Sequence, residues 1–180
     1  MLGLSDAEIK NLGLHVFQGQ IYRHNGAALL RNAMNEADRE RTIERRAALL
    51  ALLIQANQVF NDGNTRTATA AMYALVVVER GQFIRAKAYQ AYGMVGYYGP
   101  RYSNRPDLSL EVMAAWIKAK LYGPRDIVAT LNNTLDDIRN VNMIVGAITA
   151  AAKTSDNRSD PLVRNLLQQK KSWHAHHGYD

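Results

Sequence analysis

The chain has 180 residues, of which 47% are hydrophobic, and this is enough for one domain with a sizeable core. The absence of cysteine excludes disulfides and thiolate zinc sites, and the small numbers of proline (4) and glycine (12) favour helices. The net charge of +6 suits an anionic ligand or partner, but the basic residues are spread along the chain, so we do not expect a dedicated nucleic-acid binder.

The sequence predicts neither a secretory signal nor a membrane span. Residues 1–6 carry no basic region followed by a long apolar run. No apolar run approaches the roughly 18 residues that are needed to cross a membrane. We therefore expect a protein that works without a membrane, in a compartment such as the cytosol.

The first third of the chain predicts helices joined by polar turns. Ser5 and Glu8 form a capping-box pattern at the start of a helix that we expect to reach Tyr22. A turn at residues 23–26 precedes the next helical stretch. Residues 35–46 are densely charged at i,i+3 to i,i+5 spacing, which favours a solvated helix face over a basic docking surface.

Two apolar helices are predicted on either side of a short polar turn. Residues 47–59 are apolar on most sides, and so is the stretch from about residue 65 to residue 80, which Gly81 should end. Helices that are apolar all round are buried. We therefore expect these two helices to form the centre of the fold.

The remaining sequence predicts further helices separated by loops. Residues 82–105 are less regular and contain a tyrosine-rich loop, 89–102, that could lie over a nucleobase, present a protein interface or cover the core. The histidines in the tail, residues 172–180, are expected to be solvated and mobile rather than to bind a metal. The four helices predicted in this part cover about residues 110–122, capped by Asp107 or Ser109, then 124–134, 136–153 and 161–171.

The polar turn between the two central helices predicts an anion site. Gly63 accepts a positive φ, and Asp62 and Asn64 bond back to nearby amides, so all three residues favour a turn. The first turn of the next helix presents unpaired N–H groups that attract anions. Arg66 opposes the helix dipole there, at a cost of about 0.3–1 kcal/mol. A phosphate chain bound between Arg66 and the amides would explain this unfavourable position, and Asp62 could hold the Mg²⁺ that the phosphates carry. The alternative is an ordinary polar turn with an incidental arginine.

The same stretch resembles the signature loop of the Fic/Doc (fido) family, whose pattern is H-x-F-x-[D/E]-[G/A]-N-[G/K]-R. The signature loop occupies residues 58–68, and the resemblance, with its flanking helices, covers roughly residues 45–82. The lack of a second arginine after the loop is more similar to the Doc branch. The residues that fall in register are Phe60, Asp62, Gly63, Asn64 and Arg66.

The resemblance implies a single all-α, Fic/Doc-like domain over residues 1–180, built around a central helix–loop–helix. The family transfers part of a nucleotide, usually AMP and in Doc-like members a phosphate, to a hydroxyl of a target protein. The resemblance also implies ATP or another nucleotide and Mg²⁺ as cofactors. It further implies a toxin- or effector-like protein that works in a bacterial or host cytoplasm and has an antitoxin or regulatory protein as a second partner. By position, Asp62 would hold Mg²⁺, Gly63, Asn64 and Thr65 would cradle the phosphates, and Arg66 would pair with the outer phosphates.

The sequence departs from the family pattern at two positions. Gln58 stands where the family has its catalytic histidine. An amide cannot act as a general base, and the loss of such a base typically slows a reaction by about 10²–10⁴-fold. Thr65 replaces the usual glycine or lysine and brings a bulkier side chain close to the phosphates. The β-hairpin flap that family members carry upstream of the loop is not recognisable here.

Gln58 leaves three explanations open. The protein is a pseudoenzyme, it uses another residue as the base, or the glutamine is a laboratory substitution that silences a toxic enzyme. The rival function is a catalytically inactive helical protein that keeps the fold and binds a protein partner.

Overall fold

The computed structural model describes residues 1–144, and this part of the chain is mostly helical. The predicted all-α class is therefore confirmed. Two short strands, β1 (Phe83–Ile84) and β2 (Leu121–Tyr122), pair antiparallel, and residues 141–144 are again helical. The other helices within residues 1–144 are α1 (Asp6–Val16), α2 (Gly26–Asp38), α3 (Ile43–Asn57), α4 (Asn64–Arg80), α5 (Ala88–Tyr98), α6 (Pro106–Lys118) and α7 (Ile127–Arg139).

The two central helices, α3 and α4, occupy the positions that the sequence predicts. They pack against each other, α3 also contacts α2 and α6, and α4 also contacts α1, α5 and α7. Leu50 and Ile54 of α3 and Met72 and Leu75 of α4 are fully buried. Gly81 ends α4 in the left-handed conformation, with φ 60°. Since both helices are apolar on nearly all sides, only a surrounding layer of other helices can remove them from water.

The prediction that α1 reaches Tyr22 is wrong, although its capping box at Ser5 and Glu8 is confirmed. The helix ends at Val16, and Gly19 adopts a φ of +87°. Tyr22 forms an isolated antiparallel bridge with Phe60. Backbone pairing with the central loop thus overrides the helical pattern of residues 17–22.

The charged stretch at residues 35–46 is not one solvated helix face. α2 ends at Asp38 and α3 begins at Ile43, so the chain breaks within the stretch. Arg45 pairs with Glu40 and with Glu111 of α6, and Arg46 pairs with Glu79 of α4 at 3.1 Å. These arginines connect helices instead of lying in solvent.

The tyrosine-rich segment is not a loop, because most of it forms α5. Ala91, Gly93 and Val95 of this helix are buried. Glycines within a helix cost about 1 kcal/mol each, and packing against α4 outweighs that cost. Tertiary contacts that local sequence does not reveal therefore decide this element.

The boundaries of the later helices also differ from the prediction. α6 begins four residues early, with Pro106 in its first turn, and ends before β2 instead of including Tyr122. α7 spans the junction at which two helices were expected, and the side chain of Asp126 caps it by accepting from the N–H of Ala129 at 3.0 Å. The expected helix at 161–171, the end of the one at 136–153 and the tail at 172–180 lie outside the described residues. Within residues 1–144, every helix is too short or too polar to cross a membrane.

Candidate functional site

The loop between α3 and α4 contains three of the six predicted site residues, Gln58, Asp62 and Gly63, and the other three are the first residues of α4. The loop begins at Gln58, with φ 49°, and ends at Gly63, with φ 72°. Val59 and Phe60 between them are buried. Two left-handed residues therefore turn the chain from one central helix into the other while the loop keeps apolar contact with the core.

Asn64 closes the loop from the inside. Its side chain is 5% exposed, Oδ1 accepts from the N–H of Phe60 at 2.8 Å, and Nδ2 donates to the carbonyl of Phe60 at 2.9 Å. Both bonds satisfy backbone groups that are out of reach of water. The side chain of Asn64 therefore shapes the loop, which leaves its backbone N–H as the group that can face a ligand.

The start of α4 presents backbone donors that the helix itself does not use. The first helical hydrogen bond of α4 runs from the N–H of Thr67 to the carbonyl of Gly63, at 2.9 Å. The N–H groups of Asn64, Thr65 and Arg66 precede this bond and lie outside the helical ladder. Because Gly63 is the N-cap residue, no side chain caps these amides. Together with the helix dipole they make a site that favours an anion.

Two charged side chains and one phenol lie near this helix start. Asp62 and Arg66 are half-buried. Burial lowers the pKa of the Arg66 guanidinium, while Tyr92 and Asp62 act in the opposite direction. Burial likewise raises the pKa of Tyr92 in α5, which interacts electrostatically with Arg66 and Asp62. An arginine remains charged at neutral pH despite such a shift, so the site keeps one fixed cation beside the amides.

Gln58 lies at the edge of the loop, and both ends of its amide are engaged. Nε2 donates to the carbonyl of Gln55 at 2.6 Å, and Oε1 accepts from Nδ2 of Asn64 at 3.3 Å. Oε1 of Gln55 in turn accepts from the hydroxyl of Thr65 at 2.8 Å. The side chain of Thr65 is thus directed to α3. The structure brings position 58 next to the other signature residues, but it supplies no titratable group there.

The segment that follows α1 covers the loop from one side. The ring of Phe17 packs against Gly63, and the ring of Tyr22 stacks on Phe60 with centroids 5.1 Å apart. Nζ of Lys10 lies 4.8 Å from the centroid of Tyr22. Sequence reasoning did not assign Lys10, Phe17 or Tyr22 to the site, and it included Tyr92 only as part of the segment 89–102 that could lie over a nucleobase. These residues are far from the loop along the chain, so no local sequence signal links them to it. The helix predicted at about residues 6–22 and the loop predicted at 89–102 also gave these residues the wrong local structure.

The possible metal ligands at the loop suit a Mg²⁺ that also binds phosphate better than a metal ion held by protein alone. Among residues 1–144, no group of three or more His, Cys, Asp or Glu side chains could hold an ion together. Asp62 contributes one carboxylate, whose Oδ1 accepts from the N–H of Gly63 at 2.6 Å. Mg²⁺ is commonly bound by one or two carboxylates together with water and substrate phosphates. Asp62 therefore fits a Mg²⁺ that arrives with a phosphate chain.

Residues 12–76 match the model of the Fic/DOC family. The matched range contains α2, α3, the whole loop and most of α4. The resemblance that the signature residues predict is thereby confirmed. Neither the search of curated proteins nor the search of solved structures found a match.

Proposed function

On the basis of the Fic/DOC match over residues 12–76, we propose that this chain binds ATP or another nucleotide with Mg²⁺ at the α3–α4 loop. It transfers AMP or a phosphate to a hydroxyl of a target protein, at a rate that Gln58 reduces. One observation carries the proposal: the first-turn amides of α4, Arg66 and Asp62 lie together at one helix start. A phosphate chain with its metal ion needs these three kinds of partner.

The residues from Asp62 to Arg66 divide three roles in this proposal. The backbone at Gly63, Asn64 and Thr65 cradles the phosphates, and the guanidinium of Arg66 pairs with the outer ones. Asp62 holds Mg²⁺, which when bound neutralises phosphate charge. Phosphoryl chemistry requires mainly positioning and charge stabilisation. The chain's own contribution is therefore a preformed set of donors around the reacting phosphorus.

The proposed transfer lacks a general base to remove the proton from the target hydroxyl. When the target hydroxyl attacks phosphorus, an O–P bond forms, and the bond to pyrophosphate or to ADP breaks. The hydroxyl proton must then leave, and the amide of Gln58 cannot accept it at neutral pH. Gln58 can only orient the hydroxyl by hydrogen bonding, so we expect transfer to be about 10²–10⁴-fold slower than with a base.

A catalytically inactive interaction protein is the second candidate. The engagement of both ends of the Gln58 amide by Gln55 and Asn64 favours it, because a side chain held in the loop is poorly placed to act on a substrate. In this case the loop would maintain the fold, and the function would lie in binding a protein partner.

The first candidate, the transferase, implies different partners: a target protein and an antitoxin or regulatory protein, in a bacterial or host cytoplasm.

Restoring the base separates the two candidates. The Gln58→His variant, incubated with Mg²⁺ and ATP labelled on the α- or γ-phosphate, should label itself or proteins of a cell extract about 10²–10⁴-fold faster than the original chain. The α-label reports AMP transfer, and the γ-label reports phosphate transfer. Gln58→His combined with Arg66→Ala is the matched control and should be inactive. Absence of labelling by a folded Gln58→His variant would reject the transferase in favour of the interaction protein.

A further inference from the structure

Phe17 contacts Gly63 at the end of the α3–α4 loop and Arg66 in the first turn of α4, although it lies more than forty residues before them. A β-carbon added to Gly63 would come within 2.6 Å of Cγ of Phe17, so the ring rests directly on the Gly63 backbone. Cζ of Arg66 lies 5.4 Å from the centroid of the same ring. The ring therefore touches both the N-cap of α4 and the cation beside the first-turn amides.

The ring face is a defined partner of the Arg66 guanidinium. None of the ion pairs within residues 1–144 includes Arg66. A guanidinium within about 6 Å of a ring centroid is attracted to the negative face of the ring. Arginine side chains have many rotamers, and ordering them opposes binding. A ring that already holds the guanidinium reduces the ordering that a phosphate must impose.

Buried contacts between α1 and α4 fix the position of Phe17. Its N–H donates to the carbonyl of Gly13 at 2.8 Å. Gly13 packs so closely against Gln20 and Thr67 that a β-carbon there would lie 3.0 Å from Nε2 of one and Oγ1 of the other. Gln20 donates to Thr67 at 2.6 Å, and both are buried. Thr67 directly follows Arg66, so the end of α1 is tied to the turn of α4 that carries the guanidinium.

We propose that Phe17 is a positioning residue that holds the Arg66 guanidinium in the orientation in which it meets the outer phosphates of the nucleotide. This inference rests on the proposed function. The contact is made by the ring face, so an aromatic residue is required at position 17, whereas an aliphatic residue of similar size fills the space without orienting the cation. The effect must also act through Arg66 and depend on the length of the phosphate chain.

The test is a double-mutant cycle measured by calorimetric titration with Mg²⁺–ATP and with AMP. Phe17→Leu should weaken ATP binding about three- to tenfold, whereas Phe17→Tyr should stay within about twofold of the original chain. In the Arg66→Lys background, Phe17→Leu should weaken ATP binding less than in the original chain, because an ammonium is attracted to the ring but has no plane for the ring to orient. AMP binding should be unchanged in all variants because AMP lacks the outer phosphates. Phe17→Met replaces Phe17→Leu if the latter does not fold.

Tyr122→Leu is the matched control, because it removes the ring under Arg85 (4.5 Å from Cζ to centroid). Tyr122 lies in β2, which pairs with β1, the strand that follows the far end of α4. Tyr122→Leu should leave ATP binding unchanged. Equal weakening by Phe17→Leu in the original and Arg66→Lys backgrounds, or equal loss of ATP and AMP binding, would assign Phe17 a purely structural role while the proposed function stands. If the original chain binds neither nucleotide, the proposed function and the role of Phe17 are both rejected.

Discussion

Gly63 has a φ of +72°, and the ring of Phe17 fills the space where a side chain would begin. Two separate physical effects therefore require glycine at this position. One is the left-handed backbone, which costs a residue with a β-carbon about 1–2 kcal/mol. The other is the close approach of Phe17. Gly81 shares only the first effect, since its φ is +60° and a β-carbon there would meet nothing within 4 Å.

The pair of glycines gives a matched prediction. Gly81→Ala should lower the free energy of unfolding by about 1 kcal/mol. Gly63→Ala should lower it by at least about 2 kcal/mol, because the ring must also move. Urea denaturation of both variants measures the difference. Equal losses would mean that Phe17 yields without cost and does not rest on the loop.

Asn64 supplies a second test at the scale of one residue. Asn64→Ala removes both partners of the buried Phe60 backbone, and each unsatisfied group costs about 1–3 kcal/mol. We therefore expect a loss of about 2–6 kcal/mol in the free energy of unfolding. The control is Asn61→Ala, whose side chain is exposed and should change stability by less than about 0.5 kcal/mol. A loss of similar size in both variants would contradict the closing role of Asn64.

At the scale of secondary-structure elements, Glu79 connects three parts of the chain. One carboxylate oxygen accepts from the N–H of Gly3 at 2.9 Å, and the other pairs with Arg46 at 3.1 Å. Its side chain is only 14% exposed, so this pair is screened less than a surface pair. The N-terminal residues, α3 and α4 are thereby held together at the end of α4 that lies away from the loop.

Removal of Arg46 should therefore cost more than removal of a surface arginine. Arg46→Ala leaves Glu79 half-satisfied and should lower the free energy of unfolding by about 1–3 kcal/mol. Arg31 pairs with Asp6 at 3.8 Å and is 60% exposed, so Arg31→Ala should cost less than about 0.5 kcal/mol. Thermal and urea unfolding of the two variants compare these costs. If Arg31→Ala were the more harmful change, the interhelical role of Arg46 would be wrong.

The capping box of α1 predicts a pH dependence. Glu8 accepts from the backbone N–H and the hydroxyl of Ser5, at 2.7 and 2.8 Å, and these bonds hold the pKa of Glu8 below its ordinary value of 4.5. A carboxyl whose pKa is lower in the folded state stabilises that state above its unfolded pKa and loses this effect as pH falls through the folded pKa. The Tm difference between the original chain and Glu8→Ala should thus be present at neutral pH and shrink below about pH 4. A difference that stays constant down to about pH 3 would contradict the charged cap.

The sequence predicted the elements whose signals are local. The capping box at Ser5, the apolar pattern of the central helices and the stop at Gly81 are all written within a few neighbouring residues. The end of α1, the helix in place of the tyrosine-rich loop and the strand at Tyr122 were predicted wrongly, because bridges and packing with distant segments decide them. The same reason applies to the site. The signature residues between 58 and 66 were found by their spacing, whereas Phe17 and Tyr92 reach the loop only through tertiary structure.

At the scale of the whole described structure, residues 1–144, the outer helices pack around two buried helices, α3 and α4, which one short loop joins. A network of side-chain hydrogen bonds lies where α3 passes into α4, and apolar packing surrounds the two central helices on α1, α2 and α5. Such an arrangement fixes the loop donors before any ligand arrives, and preorganised donors are most effective in phosphoryl chemistry. The family match over residues 12–76 covers the loop together with α2, α3 and most of α4.

The most direct test of the anion site is calorimetric titration of Mg²⁺–ATP into the original chain, Arg66→Ala and Arg80→Ala. Arg80 is the control because it lies at the other end of the same helix and is exposed. We expect the original chain and Arg80→Ala to bind with similar affinity at millimolar ATP or below, and Arg66→Ala not to bind. Absence of binding by the original chain at about 5 mM ATP, or equal binding by all three proteins, would contradict a nucleotide site at this loop.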